Sequence, residues 1–411
     1  MPIVEEGVLK GFFFPEYDGN SVLNLLASIT RACGGRSPHV DLDFLPASAL
    51  AGFEKIILLA VDGLGAKQLG RHLDAGQGAR FFARHRFVPV TTVFPATSAA
   101  ALTTLSTGVS PAEHGILGWH LNLPELGVVS TILYAQTRTG MPIMADDLSL
   151  REFLSIPSHL DSTTRARHLL SLRQIVGSRY SRATTQWHVR SGYNTLRGLK
   201  RQVAAFARRP GAAFAYVYWP AYDGFCHDRG TRHQETAAHF GEVDGTLGAL
   251  VAALLGMPVC LIVVSDHGLV DVEPRGSIDL RKVPGFYDCL ATLPAGDKRS
   301  VFCFVRAARA QAFRDVVESR LADACVCVSG EKLLALGAFG PGAVHPATRR
   351  RAGDYVLVAK RGYAFDSTAW GHTSNEHIGK HGGMSEDEVV VPLWALDLSA
   401  ARPRCLLGEN G

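Results

Sequence analysis

The chain has 411 residues, a length that fits one large domain with an inserted cap, or two domains. Hydrophobic residues make up 47% and charged residues 19%, which excludes a disordered chain and fits a globular enzyme with a large core. A formal net charge of +4 is too small to imply a nucleic-acid partner.

Glu5 and Glu6 stand where a signal peptide carries basic residues, and Phe12 to Phe14 is too short for its apolar region. The longest apolar runs, such as Pro258 to Val264, have the length of a buried strand and cannot span a bilayer. A cytoplasmic protein without a membrane partner is expected. The eight cysteines, Cys33, Cys226, Cys260, Cys289, Cys303, Cys325, Cys327 and Cys405, form no CxxC pair and read as buried reduced thiols.

In chain order, Lys55 to Val61 is a continuous apolar run, the mark of a buried parallel strand ended by Asp62-Gly63. A helical stretch is predicted from there to about Arg84, then a strand over Phe87 to Val90. Ser98 to Ser106 reads as a helix, and Gly127 to Leu133 as a strand. Ala213 to Trp219 and Val259 to Val264 are further buried strands, with a long helix predicted between them from about Thr231 to Leu255. This alternation predicts an α/β fold with a mostly parallel central sheet flanked by helices.

Two stretches read as additions. The first, about 119–211, has no acidic residue from Ser162 to Tyr222 but many basic ones, among them Arg165, Arg167, Arg173, Arg179, Arg182 and Arg190. It is expected either as a solvated positive face or as a cover that attracts an anionic substrate. Tyr180, Trp187 and Tyr193 lie among these residues, as core or as a stacking surface. The second, 299–352, reads as a small α+β cap: strand Val301 to Val305, helix Ala307 to Leu321, strand Cys325 to Val328. Residues 1–50 are expected as an extension packed on the core, leaving 51–298 and 353–411 as the catalytic body.

Ligands of parallel sheets bind beyond the carboxyl ends of the strands. Four segments place metal-ligand types there: Asp62; Asp223 and His227, four residues apart and so on one face of a helix or turn; Asp266-His267 after an apolar strand; and His381 in His-Gly-Gly. Each alone reads as a cap or a turn. Together, three Asp and three His suit zinc, with manganese as the alternative. Thr97 and Ser98 put hydroxyls at the start of a helix, whose free N–H groups favour a phosphate. One can cap the helix while the other attacks.

Asp62, the hydroxyl-led helix, Asp-x-x-x-His, Ser-Asp-His-Gly and the late His-Gly resemble, in this order, the signature of the alkaline phosphatase superfamily. The segment Thr107-Gly108-Val109-Ser110-Pro111-Ala112-Glu113-His114-Gly115-Ile116 is similar to its type I phosphodiesterase/nucleotide pyrophosphatase branch. The resemblance runs from about Lys55 to Leu398. It implies an alkaline phosphatase-like fold and two divalent metals, one on Asp62, Asp266, His267 and the nucleophile, the other on Asp223, His227 and His381. It also implies that Ser98, ten residues before Gly108, is the nucleophile of a covalent phosphoseryl mechanism, with Thr97 as the alternative. The implied substrate is a small-molecule phosphate diester. A phosphomonoester or a C–P bond is the alternative, with Arg299 or a basic residue of the insert as the recognising cation. A two-manganese mutase and a non-catalytic binding protein are the remaining readings.

Many members of the branch carry Asn three residues after the nucleophile. Here that position is Ala101, which leaves the phosphoryl oxygens to the metals, to backbone N–H groups or to another side chain. The sulfatase pattern is absent around Ser98. His114 is expected as part of a structural turn, Asp244 as a cap or ion-pair residue, and His372 and His377 as loop residues near His381.

Overall fold

The computed structural model describes residues 7, 9–368 and 376–408. Lys55–Val61 pairs in parallel with Ala213–Trp219 on one side and Val259–Val264 on the other. Ala166–Leu172 and Val189–Tyr193 extend the sheet in parallel. Val390–Asp397 closes the opposite side antiparallel, and pairs in turn with Val88–Thr91 and Arg404–Cys405. Every residue of the three central strands is buried, so they read as continuous apolar runs rather than as alternating ones.

Each face of the sheet has its own core. Ile56, Leu58 and Ala60 cluster with Leu25, Leu26 and Ile29 of helix Val22–Ala32 and with Leu105 of helix Ser98–Thr107. Ile57, Leu59 and Val61 cluster with Leu69, Val203, Phe240 and Leu247 from helices Ala66–Asp74, Leu196–Ala207 and Gln234–Leu254. Burying one such Leu or Ile contributes about 1.5–3 kcal/mol, whereas an exposed ion pair such as Arg275–Glu273 contributes about 1 kcal/mol at most. Apolar burial therefore fixes the sheet and the direction in which its carboxyl ends point.

Three boundaries differ from the sequence reading. The helix after Asp62 stops at Asp74 rather than Arg84, where Gly76 and Gly78 take the left-handed conformation. The stretch 119–211 is not a separate insert. Ala166–Leu172 and Val189–Tyr193 belong to the main sheet, while His120–Leu123, Val128–Thr131 and Gln136–Thr137 belong to a second one. Its acid-free composition masked a largely buried strand, Ala166–Leu172, and a half-buried one, Val189–Tyr193. The segment 299–352 is likewise part of that second sheet, which runs Cys325–Ser329, Tyr355–Ala359, Ser300–Cys303, Ala295–Gly296, His120–Leu123, Val128–Thr131, Gln136–Thr137. The strands before and after helix Ala310–Leu321 do not pair with each other but lie on either side of Tyr355–Ala359, antiparallel to both.

Candidate active site

The six Asp and His residues come together where the main sheet's strands end. Asp62 follows Val61, and Gly63 takes φ 77° beside it. A Cβ on Gly63 would lie 2.9 Å from the Asp223 Cβ, so only glycine lets these two turns approach so closely. Asp223 and His227 stand one turn apart on helix Ala221–Arg229, with Nε2 3.2 Å from the carboxylate. The His381 ring stacks on that of His267 at 4.0 Å and lies 5.1 Å from that of His227. The ligating atoms of Asp223, His227 and His381 lie within 4.8 Å of one another, as do those of Asp62, Asp223 and His267. Asp223 thus sits between both groups, and Asp266 Oδ2 is 3.6 Å from His267 Nε2.

Backbone groups aim these side chains. His227 Nδ1 bonds the Gly379 carbonyl at 2.7 Å and His267 Nδ1 that of Gly268 at 3.1 Å, which turns each Nε2 inward. Asp266 Oδ1 accepts from the N–H groups of Gly63 and His267. The Tyr218 hydroxyl donates to Asp62 Oδ2. The outward-held atoms are satisfied, whereas Asp62 Oδ1, Asp223 Oδ1, Asp266 Oδ2 and His381 Nδ1 are buried without a hydrogen-bond partner. Buried acceptors grouped in this way call for a water or a cation among them, and three carboxylates beside three imidazoles favour a cation.

The electrostatics agree. Burial, together with the facing carboxylates of Asp266 and Asp223, pushes the Asp62 pKa well up. Burial raises that of Asp266 too. Asp223 is the exception: burial raises it, but His227, His381 and His267 more than reverse this and hold it low.

Ser98 begins its helix with Oγ 3.0 Å from His267 Nε2. It is 6% exposed and lines two cavities, whereas Thr97, at 0%, lines neither. One cavity, of about 580 Å³, is lined by Arg138, Lys298, Lys380, His377, Asp297 and Asp366. The other, of about 600 Å³, is mainly apolar, with Leu102, Leu169, Ile175, Tyr180, Trp187 and Tyr216. Trp119, Tyr134 and Asp223 line both.

Several expectations change here. Arg299 is fully buried in a two-pronged pair with Glu388, at 2.8 and 2.9 Å, and cannot meet a substrate. The basic residues of 162–209 line neither cavity at Ser98. Arg165 and Arg190 bond backbone carbonyls, and Arg179 and Arg182 pair with Asp147. Tyr180 and Trp187 face the apolar cavity, while Tyr193 is core, donating to the Tyr218 carbonyl. Ala101 packs in the core and lines neither cavity, so an Asn there would not face the site. His114 is buried against Thr104 and the N–H of Ile116, and Asp244 accepts from the N–H groups of Arg80, Phe81 and Phe82. His377 lines the polar cavity, and His372 lies outside the described residues. Lys298, Lys380, Arg138, Asp297 and Tyr218 were missed by the sequence reading. Only Lys380 carried a signal, as the neighbour of His381.

A parallel sheet with an Asp/His cluster at its carboxyl ends and a hydroxyl-led helix beside it defines a hydrolase of the alkaline phosphatase superfamily. The chain belongs to the type I phosphodiesterase/nucleotide pyrophosphatase family, whose profile matches residues 56–384. It is thereby a hydrolase of phosphoric esters, in a family that depends on divalent metals. Among solved structures it is similar to mouse ectonucleotide pyrophosphatase/phosphodiesterase 5, at 17% identity and a TM-score of 0.60, covering 83% of this chain and 87% of that one. It is also similar to phosphonoacetate hydrolase from Sinorhizobium meliloti 1021, solved with phosphonoformate, at 16% identity and 0.61, covering 82% and 89%. No curated protein matches the sequence.

Proposed function

We propose that this chain is a two-zinc phosphodiesterase that works through a covalent intermediate on Ser98. The observation that carries this reading is the set of partnerless buried acceptors grouped around the Ser98 hydroxyl. Asp62, Asp266 and His267 would hold one ion beside Ser98, and Asp223, His227 and His381 the other. Bound there, divalent ions supply charge for the phosphoryl oxygens and lower the pKa of a hydroxyl. The Ser98 oxygen attacks phosphorus as the bond to the leaving oxygen breaks. The Ser98 proton departs with the leaving oxygen; water then displaces the Ser98 oxygen, giving it one proton and leaving its hydroxyl on phosphorus. The N-terminus of the Ser98 helix directs backbone N–H groups at the phosphoryl group throughout. A cytoplasmic setting belongs to the proposal, and eight free thiols suit a reducing compartment. No helix among the described residues is long and apolar enough to cross a membrane.

The two cavities support a substrate with unlike arms. Arg138, Lys298 and Lys380 surround the polar cavity, where Asp366 is the carboxylate acting on all three. Burial holds the pKa of each below its ordinary value, bringing Lys380 to about 8. An anionic group on the substrate would offset the cost of burying these charges, while the apolar cavity takes an aryl or alkyl group. This cationic wall also keeps a monoester or a carboxylated phosphonate as the second reading. Hydrolysis of bis-p-nitrophenyl phosphate and p-nitrophenyl phosphate by metal-loaded protein tests the choice, with Asp266→Ala as control. Diester preference that vanishes in the control supports the proposal. Monoester preference moves the chain to the second reading.

A further inference from the structure

A second group of metal-ligand side chains lies at the far end of the Ser98 helix. His39, on the loop after helix Val22–Ala32, is buried with Nε2 2.9 Å from Glu113 Oε2. Glu113 belongs to the turn after the Ser98 helix, where Oε2 also accepts from the Ser110 N–H at 2.8 Å. His159 completes the group with Nδ1 2.9 Å from the carbonyl of Gly108, the residue that caps the Ser98 helix. One ligating atom from each of the three lies within 4.8 Å of the other two. That His159 hydrogen bond leaves Nε2 with its lone pair available, the arrangement that orients a metal-ligating imidazole. Gly342 packs closely against this carboxylate: a Cβ there would sit 2.3 Å from Glu113 Oε1.

We propose that His39, Glu113 and His159 form a third zinc site, distinct from the proposed catalytic pair. Two imidazoles and a carboxylate match the donors zinc prefers. Half-buried His159 leaves a path for the ion and a fourth position for water. Ligation at about 2.0–2.2 Å would draw three separate chain segments together around Gly108 and anchor the end of the helix whose other end carries Ser98.

The test is zinc content per chain after loading and exhaustive dialysis, with melting temperature measured with and without zinc. Wild type is compared with His159→Ala and His39→Ala, each checked for folding by circular dichroism. One zinc fewer in both variants, with a smaller zinc-dependent rise in melting temperature, supports the site. Equal zinc content in wild type and in either folded variant overturns it. Asp266→Ala, measured alongside, separates the two centres. If it loses no zinc while His159→Ala loses one, the catalytic reading fails and this one stands.

Discussion

Two sides of the cavity at Ser98 are assembled by different means. The floor consists of Asp62, Asp266, His267 and His381 on turns after strands and of Asp223 and His227 on helix Ala221–Arg229, with Asp266, His227 and His267 fixed by backbone hydrogen bonds. The wall opposite consists of Arg138, Lys298 and Lys380, which come from strand edges and hairpins of two smaller sheets. Floor side chains have little freedom and converge on one small volume, as metal-assisted chemistry requires. The wall's cations surround a cavity of about 580 Å³, enough to hold part of a substrate without dictating the reaction. Floor changes should therefore act on kcat, and wall changes on KM and on the choice of substrate.

The largest effect is expected at the meeting point. Ser98→Ala should lower kcat/KM by about 10⁴-fold or more, the scale seen when a covalent nucleophile is removed. Thr97→Ala should cost less than about tenfold. The reverse order would move the nucleophile to Thr97. One layer behind the floor, Tyr218→Phe removes the hydroxyl that donates to Asp62. A loss of about 10–100-fold in metal affinity, measured by competition with a chelator, is expected from that change. On the wall, Lys298→Ala or Lys380→Ala should raise KM by about 10–100-fold for diesters with a second anionic group, equivalent to a charge-assisted hydrogen bond. For bis-p-nitrophenyl phosphate the same variants should change KM only a few-fold. Equal losses on both substrates would erase the division between floor and wall.

The smallest effect on turnover is expected behind the Ser98 helix, at His114. Burial holds its pKa down at about 3, against 6.5 in the unfolded chain. The unfolded state therefore takes up a proton first as pH falls. The contribution of neutral His114 is complete above pH 6.5 and is lost as pH falls from there toward about 3. The slope is about 1.4 kcal/mol per pH unit for one proton. His114→Gln should flatten this part of the stability profile in urea titrations at several pH values, with kcat near wild type at pH 7.

The same contrast explains what could be read from the sequence. Asp62, Asp223 and Asp266 each follow a strand that is apolar throughout because both its faces are covered, so strand end and ligand could be read together. The Ser98 helix was legible from its run of Ala, Leu and Thr, and the family resemblance singled out Ser98 within it. Lys298 and Arg138 carried no such mark. They reach the cavity because Gly296 pairs with His120, a contact between distant parts of the chain that has no local pattern. Arg299 shows the converse: a cation beside a strand that faces Glu388 in the core instead of the cavity. Of the two readings open for the basic residues from 162 to 209, a solvated face or a cover over the site, only the cover is lost, because none of them lines either cavity and composition does not say which way a side chain turns.

The most direct test of the central claim is to stop the metal-loaded enzyme with acid during turnover of a diester and map the adduct by fragmentation mass spectrometry. A phosphorus-bearing group on Ser98, absent from Ser98→Ala, is the predicted result. An adduct on Thr97, or turnover undiminished in Ser98→Ala, would contradict it.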